Sequence, residues 1–119
     1  MLKPHKKLIA WQKSMDLVVS IYDLTRTFPK EETYGLISQL RRAAVSVPSN
    51  IAEGAADQTT DQFRNFLSTA IGSLNEINTQ LELALRVGYI TIERHDVVQA
   101  SVDECLAVTF GLKRSLRGR

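Results

Sequence analysis

Two histidines, one cysteine and a scatter of carboxylates are the residues of this 119-residue chain that could do chemistry. None stands at a spacing that chemistry needs. A zinc site takes three or four close nitrogen, sulfur or carboxylate donors. His5 lies near the N-terminus, His95 lies far along the chain, and Cys105 has no second cysteine with which to share a metal or a disulfide. Cys105 falls on an apolar stripe, where thiols are usually buried and inert. Glu76 and Glu82 lack the paired Glu-x-x-His segments of a di-iron carboxylate site. Asp103-Glu104 reads as a solvated face rather than an acid–base pair. No phosphate loop or dinucleotide glycine fingerprint occurs. The expectation is a chain that is not an enzyme and takes no cofactor or metal. An enzyme with an unrecognised intersubunit site is the weakest alternative.

Charge is arranged more tellingly. Residues 1–13 carry Lys3, Lys6, Lys7 and Lys13 with no acid, and residues 113–119 carry Lys113, Arg114, Arg117 and Arg119 with no acid. The stretch between them has seven bases against thirteen acids. If the termini meet, these eight cations form one basic tip, a candidate contact for nucleic-acid phosphates. The plainer reading is a solubilising end, partly neutralised by Glu53, Asp57 and Asp61. Aromatic residues make up only 7% of the chain, and no RNA-recognition module is present, which argues against binding single strands by stacking. Arg41 and Arg42 are a second candidate. Adjacent helical residues point about 100° apart, so the two cannot form one forked clamp. One can pair within the chain or across a subunit interface while the other meets an anion or a partner.

Four amphipathic segments must position these residues. Leu8, Trp11, Met15, Val18 and Tyr22 predict a helix over about 6–27, closed by Pro29. Val19 and Ile21 widen its apolar face beyond what one neighbour needs. Ile37, Leu40, Ala44, Val47 and Ile51 predict a second helix over about 32–55, with Glu31 and Glu32 at its positive end. Pro48 removes a backbone donor, but the apolar phase continues across it, so a kinked continuous helix is expected. Asn50, Glu53 and Gly54 follow the kink. Asn50 and Glu53 either satisfy groups released there or line a small polar contact.

Phe63, Leu67, Ala70, Leu74, Ile77, Leu81 and Ala84 predict a third helix over 60–87. Thr59 and Gln62 form a candidate capping box, and Gly88 supplies the stop. Gly72 inside this helix suggests close approach of a neighbour. Val98, Val102, Cys105, Thr109, Leu112 and Leu116 predict a fourth helix over 92–116, capped by Thr91. The short connections favour a single domain over 1–119, an all-α antiparallel up-down-up-down four-helix bundle. No run approaches the roughly 20 apolar residues of a transmembrane span, and no secretory core is present, so a cytoplasmic chain is expected.

The segment Gln39-Leu40-Arg41-Arg42-Ala43-Ala44-Val45-Ser46-Val47-Pro48-Ser49-Asn50-Ile51-Ala52-Glu53-Gly54 is the most distinctive part of the sequence. With Gly72-Ser73-Leu74-Asn75-Glu76 and Leu85-Arg86-Val87-Gly88-Tyr89-Ile90, it resembles a bacterial family of proteins encoded in intervening sequences of 23S ribosomal RNA genes. Trp11, Tyr22, Phe28-Pro29, Glu32 and Tyr34-Gly35-Leu36 extend the likeness almost from end to end. The resemblance implies a four-helix bundle that self-associates, as a homopentamer around a central opening. A related branch includes accessory proteins of diversity-generating retroelements, which partner a reverse transcriptase and nucleic acid through basic surfaces. The combined expectation is a non-enzymatic homo-oligomeric scaffold. The alternative is an accessory protein that binds RNA or DNA, or a nucleic-acid enzyme, through a basic surface.

Overall fold

A computed structural model of the chain describes residues 3–56 and 59–116. It is all-α: α1 spans Ile9–Thr25, α2 Leu36–Ala56, α3 Thr60–Arg86 and α4 Ile92–Ser115. Short 3₁₀ turns at Pro4–Lys7 and Lys30–Glu32 precede α1 and α2. α1 packs on α2 and α4, and α3 packs on α2 and α4, with no diagonal packing among the described residues. Side chains fix the directions. Arg41 near the start of α2 reaches Thr25 at the end of α1, Ser46 meets Ser73, and Gln99 meets Asn78. Arg94 near the start of α4 reaches Thr27 just beyond α1. Every neighbouring pair is therefore antiparallel, giving an up-down-up-down bundle of 46 × 22 × 22 Å. The start of α1 lies beside the end of α4.

The helix ends follow local chemistry. Thr59 accepts from the Gln62 backbone N–H at 3.1 Å, and Thr91 accepts from Arg94 N–H at 3.2 Å, each satisfying one orphan donor of a first turn. The Gln62 side chain does not complete a reciprocal box; its carbonyl accepts from the Thr59 hydroxyl instead. Gly88 ends α3 at φ +85°. Gly88 N–H donates to Leu85 O and Tyr89 N–H to Ala84 O, the paired bonds of a Schellman stop. α2 begins later than its apolar pattern suggested. Lys30–Glu32 forms a separate turn, and Glu32 caps α2 from outside. α2 then runs through Pro48 without interruption.

Leu40, Ala44, Val47 and Ile51 of α2 are fully buried, as are Leu67, Leu74, Ile77 and Leu81 of α3 and Val102 of α4. Helix α1 differs from its expected register. Its core face is Ala10, Ser14, Leu17, Ile21 and Leu24, whereas Leu8, Trp11, Val18 and Tyr22 are only half-buried and Met15 is exposed. The cause is polar residues in the true stripe. Ser14 and Thr25 are buried because their hydroxyls close on carbonyls of their own helix, Trp11 O and Ile21 O, both at 2.8 Å. Gly72 also departs from expectation. It is exposed, and a Cβ there would meet nothing within 4 Å. The close-approach glycine is Gly54, where a Cβ would fall 2.8 Å from Phe63 Cδ1 and 2.9 Å from Phe66 Cβ.

Candidate functional site

Arg41 is half-buried where α2 crosses the end of α1. Its Nε donates to Thr25 Oγ1 at 2.9 Å, one terminal nitrogen reaches Tyr22 O at 3.4 Å, and the guanidinium lies 4.4 Å above the Tyr22 ring. A cation over an aromatic face and beside the last carbonyls of a helix is doubly favoured. Within the chain its partners are thus a hydroxyl, a carbonyl and a ring rather than a carboxylate. Arg42 points away, is exposed, and has no hydrogen bond or ion pair within the described residues. The two arginines thus divide as their 100° separation requires.

Beyond Pro48, Asn50 does not serve the carbonyl that proline strips of its donor, that of Ala44. Its amide donates to Ser46 O at 2.8 Å and Ser46 Oγ at 2.9 Å. Ser46 Oγ in turn lies 2.8 Å from Ser73 Oγ, so a short polar chain joins α2 to α3. Glu53 is exposed and takes no part in it. This chain carries no nucleophile–base pair with a third orienting group.

Glu32 and Tyr89 form a clasp whose geometry sequence reading missed. Glu32 Oε1 accepts from Leu36 N–H at 2.9 Å, and Oε2 accepts from the Tyr89 hydroxyl at 2.7 Å. A Cβ on Gly35 would sit 2.6 Å from Glu32 Oε1, so glycine there keeps the carboxylate's path open. The Leu36 backbone bond, then the Tyr89 hydroxyl, holds the Glu32 carboxyl below its ordinary 4.5. The same carboxylate, with some desolvation, pushes the Tyr89 hydroxyl above its ordinary 10.0. A depressed carboxyl stabilises the fold above its unfolded pKa and ceases to as pH falls through the folded one. A Glu32→Gln variant is therefore expected to melt below wild type at neutral pH. The gap should narrow as pH falls below about 4.5, when the wild-type carboxylate takes up its proton. Thermal melts across pH check this, and a gap that persists unchanged into acid contradicts the clasp.

The expected basic tip is only partly free. Lys3, Lys6 and Lys7 are exposed on or beside the N-terminal turn, Lys113 is half-buried and Arg114 is exposed at the end of α4. Arg117 and Arg119, like Asp57, lie outside the described residues. Lys13 is not available as a free cation. It pairs with Glu104 of α4, whose hydrogen bond and charge raise the lysine pKa. Glu53 and Asp61 do lie at this end, as the antiparallel turn requires.

The reactive side chains remain apart. His5 stands edge-on to Trp11 with ring centroids 4.9 Å apart. His95 is buried; its Nδ1 lies 3.0 Å from Asp96 Oδ1 and its Nε2 has no partner among the described residues. Cys105 is 1% exposed, and burial, aided by Glu104, pushes its thiol up to about 11, far from the thiolate a nucleophile needs. Among the described residues no three His, Cys, Asp or Glu side chains converge as metal donors, and no helix is long and apolar enough to cross a membrane.

What the surface does hold is apolar. The stripe displaced from the core of α1 lies along a groove against α2. One hollow of about 310 Å³ is lined by Trp11, Met15, Val18, Val45, Pro48, Ser49 and Ala52. It continues past Val45 into another of about 410 Å³ between Tyr22, Arg41 and Arg42. Met15 and Val45 are each 41% exposed along this face, and Val19, one turn beyond Met15 on α1, is 60% exposed.

Comparison with known proteins agrees with this architecture. A solved structure from Bacteroides thetaiotaomicron VPI-5482, described as a protein of unknown function from the S23 ribosomal protein family, superposes with a TM-score of 0.83 at 26% identity. The match covers 89% of this chain and 96% of that one. No curated protein matches the chain. The family profile for 23S rRNA-intervening sequence proteins matches residues 6–111, nearly the whole bundle. With the Ser-Val-Pro-Ser-Asn-Ile-Ala-Glu-Gly segment placed across the α2–α3 contact, the chain belongs to the 23S rRNA-intervening sequence protein family.

Proposed function

We propose that the protein is a non-enzymatic scaffold that assembles with copies of itself through the outer face of α1 and α2. The observation that carries this is the second apolar stripe of α1. Trp11, Met15 and Val18, with Val45 and Ala52 of α2, are not fully buried and line one hollow on the outer side of the core, and Val19 stands exposed one turn beyond Met15. Water-exposed apolar area costs about 25 cal/mol per Å², so burying such a strip against another copy is favourable. Arg42, exposed beside the strip and unpaired among the described residues, is the polar contact at its rim. A copy number of five rests on the family likeness, since a surface strip does not count subunits.

Native mass spectrometry tests this. The wild type is expected at five times the 13.3 kDa chain mass. A Val19→Glu/Val45→Glu variant is expected to run as a folded monomer, because two buried unpaired carboxylates would oppose docking. A monomeric wild type sinks the assembly, and a fully assembled variant moves the interface off this face.

A further inference from the structure

We propose that the end of the α3–α4 seam nearest the chain termini binds single-stranded polynucleotide, with Arg64, Lys113 and Arg114 taking phosphates around the ring of Phe110. This is independent of self-association and uses a different face of the bundle.

The register of the seam brings these residues together. Gln99 Nε2 donates to Asn78 Oδ1 at 2.5 Å, fixing α4 against α3. Steps of seven residues return nearly to the same helix face. One step toward the termini pairs Ile71, 8% exposed, with the half-buried Leu106. The next step pairs Arg64 with Lys113, roughly 21 Å from the Asn78 rung at 1.5 Å per residue. By this register the seam runs from a neutral polar rung through an apolar level to one that carries a cation on each helix, Arg64 on α3 and Lys113 on α4. Opposed like charges repel unless an anion lies between them.

No acid fills that place within the described residues. Arg64 is half-buried, its Nε is buried without a partner, and its guanidinium makes no ion pair. Lys113 and Arg114 make none either. Asp61, one turn before Arg64, is exposed and unpaired with it, and Asp103 accepts from Gln99 at 3.0 Å further along α4. Complementing the last carbonyls of α4 accounts for Lys113 and Arg114. It does not account for Arg64, which belongs to another helix and bonds none of those carbonyls.

Phe110 selects the polymer. It is 43% exposed, three residues before Lys113 and four before Arg114, so its ring shares their face. An exposed ring among cations is a platform on which an unpaired base can stack while the neighbouring phosphates are held. A duplex keeps its bases inside and can offer only phosphates. Low aromatic content counts against stacking in the sequence; one ring in the right place is what the fold supplies.

The test is fluorescence anisotropy with a short labelled single-stranded RNA of mixed sequence, at low and rising salt. Wild type is expected to bind, weakening with salt. Phe110→Ala and Phe110→Leu should each weaken single-strand binding about tenfold and leave duplex binding unchanged. Arg64→Gln/Lys113→Gln should lower the log–log salt slope by about 1.4, that is, about 0.7 for each phosphate the two cations no longer neutralise. Circular dichroism melts confirm that each variant is folded, and Lys30→Gln, exposed in the turn at the opposite end of the bundle, serves as the distant control. Absence of wild-type binding at low salt overturns the proposal, as does wild-type affinity in the seam variants or loss only in the control. Displacement of the RNA by inorganic phosphate at equal phosphate concentration would also overturn it, reducing the site to one for the free ion.

Discussion

Leu74→Ala is expected to lower the unfolding free energy by about 2–5 kcal/mol. Leu74 is fully buried at the middle of α3, the helix with the heaviest packing against α2. Alanine removes the transfer energy of the deleted carbons and leaves a void that straight, mutually braced helices fill poorly. Urea unfolding at one fixed protein concentration measures it, because assembly would add a concentration-dependent term. The midpoint should fall with the slope unchanged, since the surface exposed on unfolding is nearly the same. A midpoint equal to wild type would mean that α3 does not face the core at this position.

That expectation can be read from the sequence because α3 keeps an unbroken apolar series, and each of Leu67, Ala70, Leu74, Ile77, Leu81 and Ala84 is buried. Thr91 and Gly88 are legible for a similar reason: cap and stop chemistry is local. α1 is harder. It carries two apolar stripes, and the one without polar interruptions is the outer one. Ser14 and Thr25 hide in the core stripe by bonding their own carbonyls, a compensation visible only once the backbone is in place. The outer stripe therefore mimics a core in the sequence and is the proposed docking face in the fold. The same limit applies to sites built across helices. Glu32 and Tyr89 are far apart in the chain and meet only in the fold. Arg64 belongs to neither basic terminus, and only the α3–α4 register sets it opposite Lys113. Lys13 looks free in the sequence because Glu104, its partner, approaches from another helix.

Gly54→Ala and Gly72→Ala are expected to move stability in opposite directions, although each is the same change inside a helix. On propensity alone both gain about 1 kcal/mol. Gly72 should show that gain, about 0.5–1 kcal/mol, because a new methyl meets nothing within 4 Å. At Gly54 the methyl would press on Phe63 and Phe66. The Phe63 ring at 2.8 Å can swing aside, but Phe66 Cβ at 2.9 Å is tied to the α3 backbone and can yield only if the helices part. Overpacking of this kind costs about 1–3 kcal/mol, which outweighs the propensity gain. The net expectation is a loss of up to about 2 kcal/mol, read as a lower denaturant midpoint beside a raised one for Gly72→Ala. Equal gains at both positions would show that α2 and α3 separate freely at this end, leaving Gly54 without a packing reason in the fold.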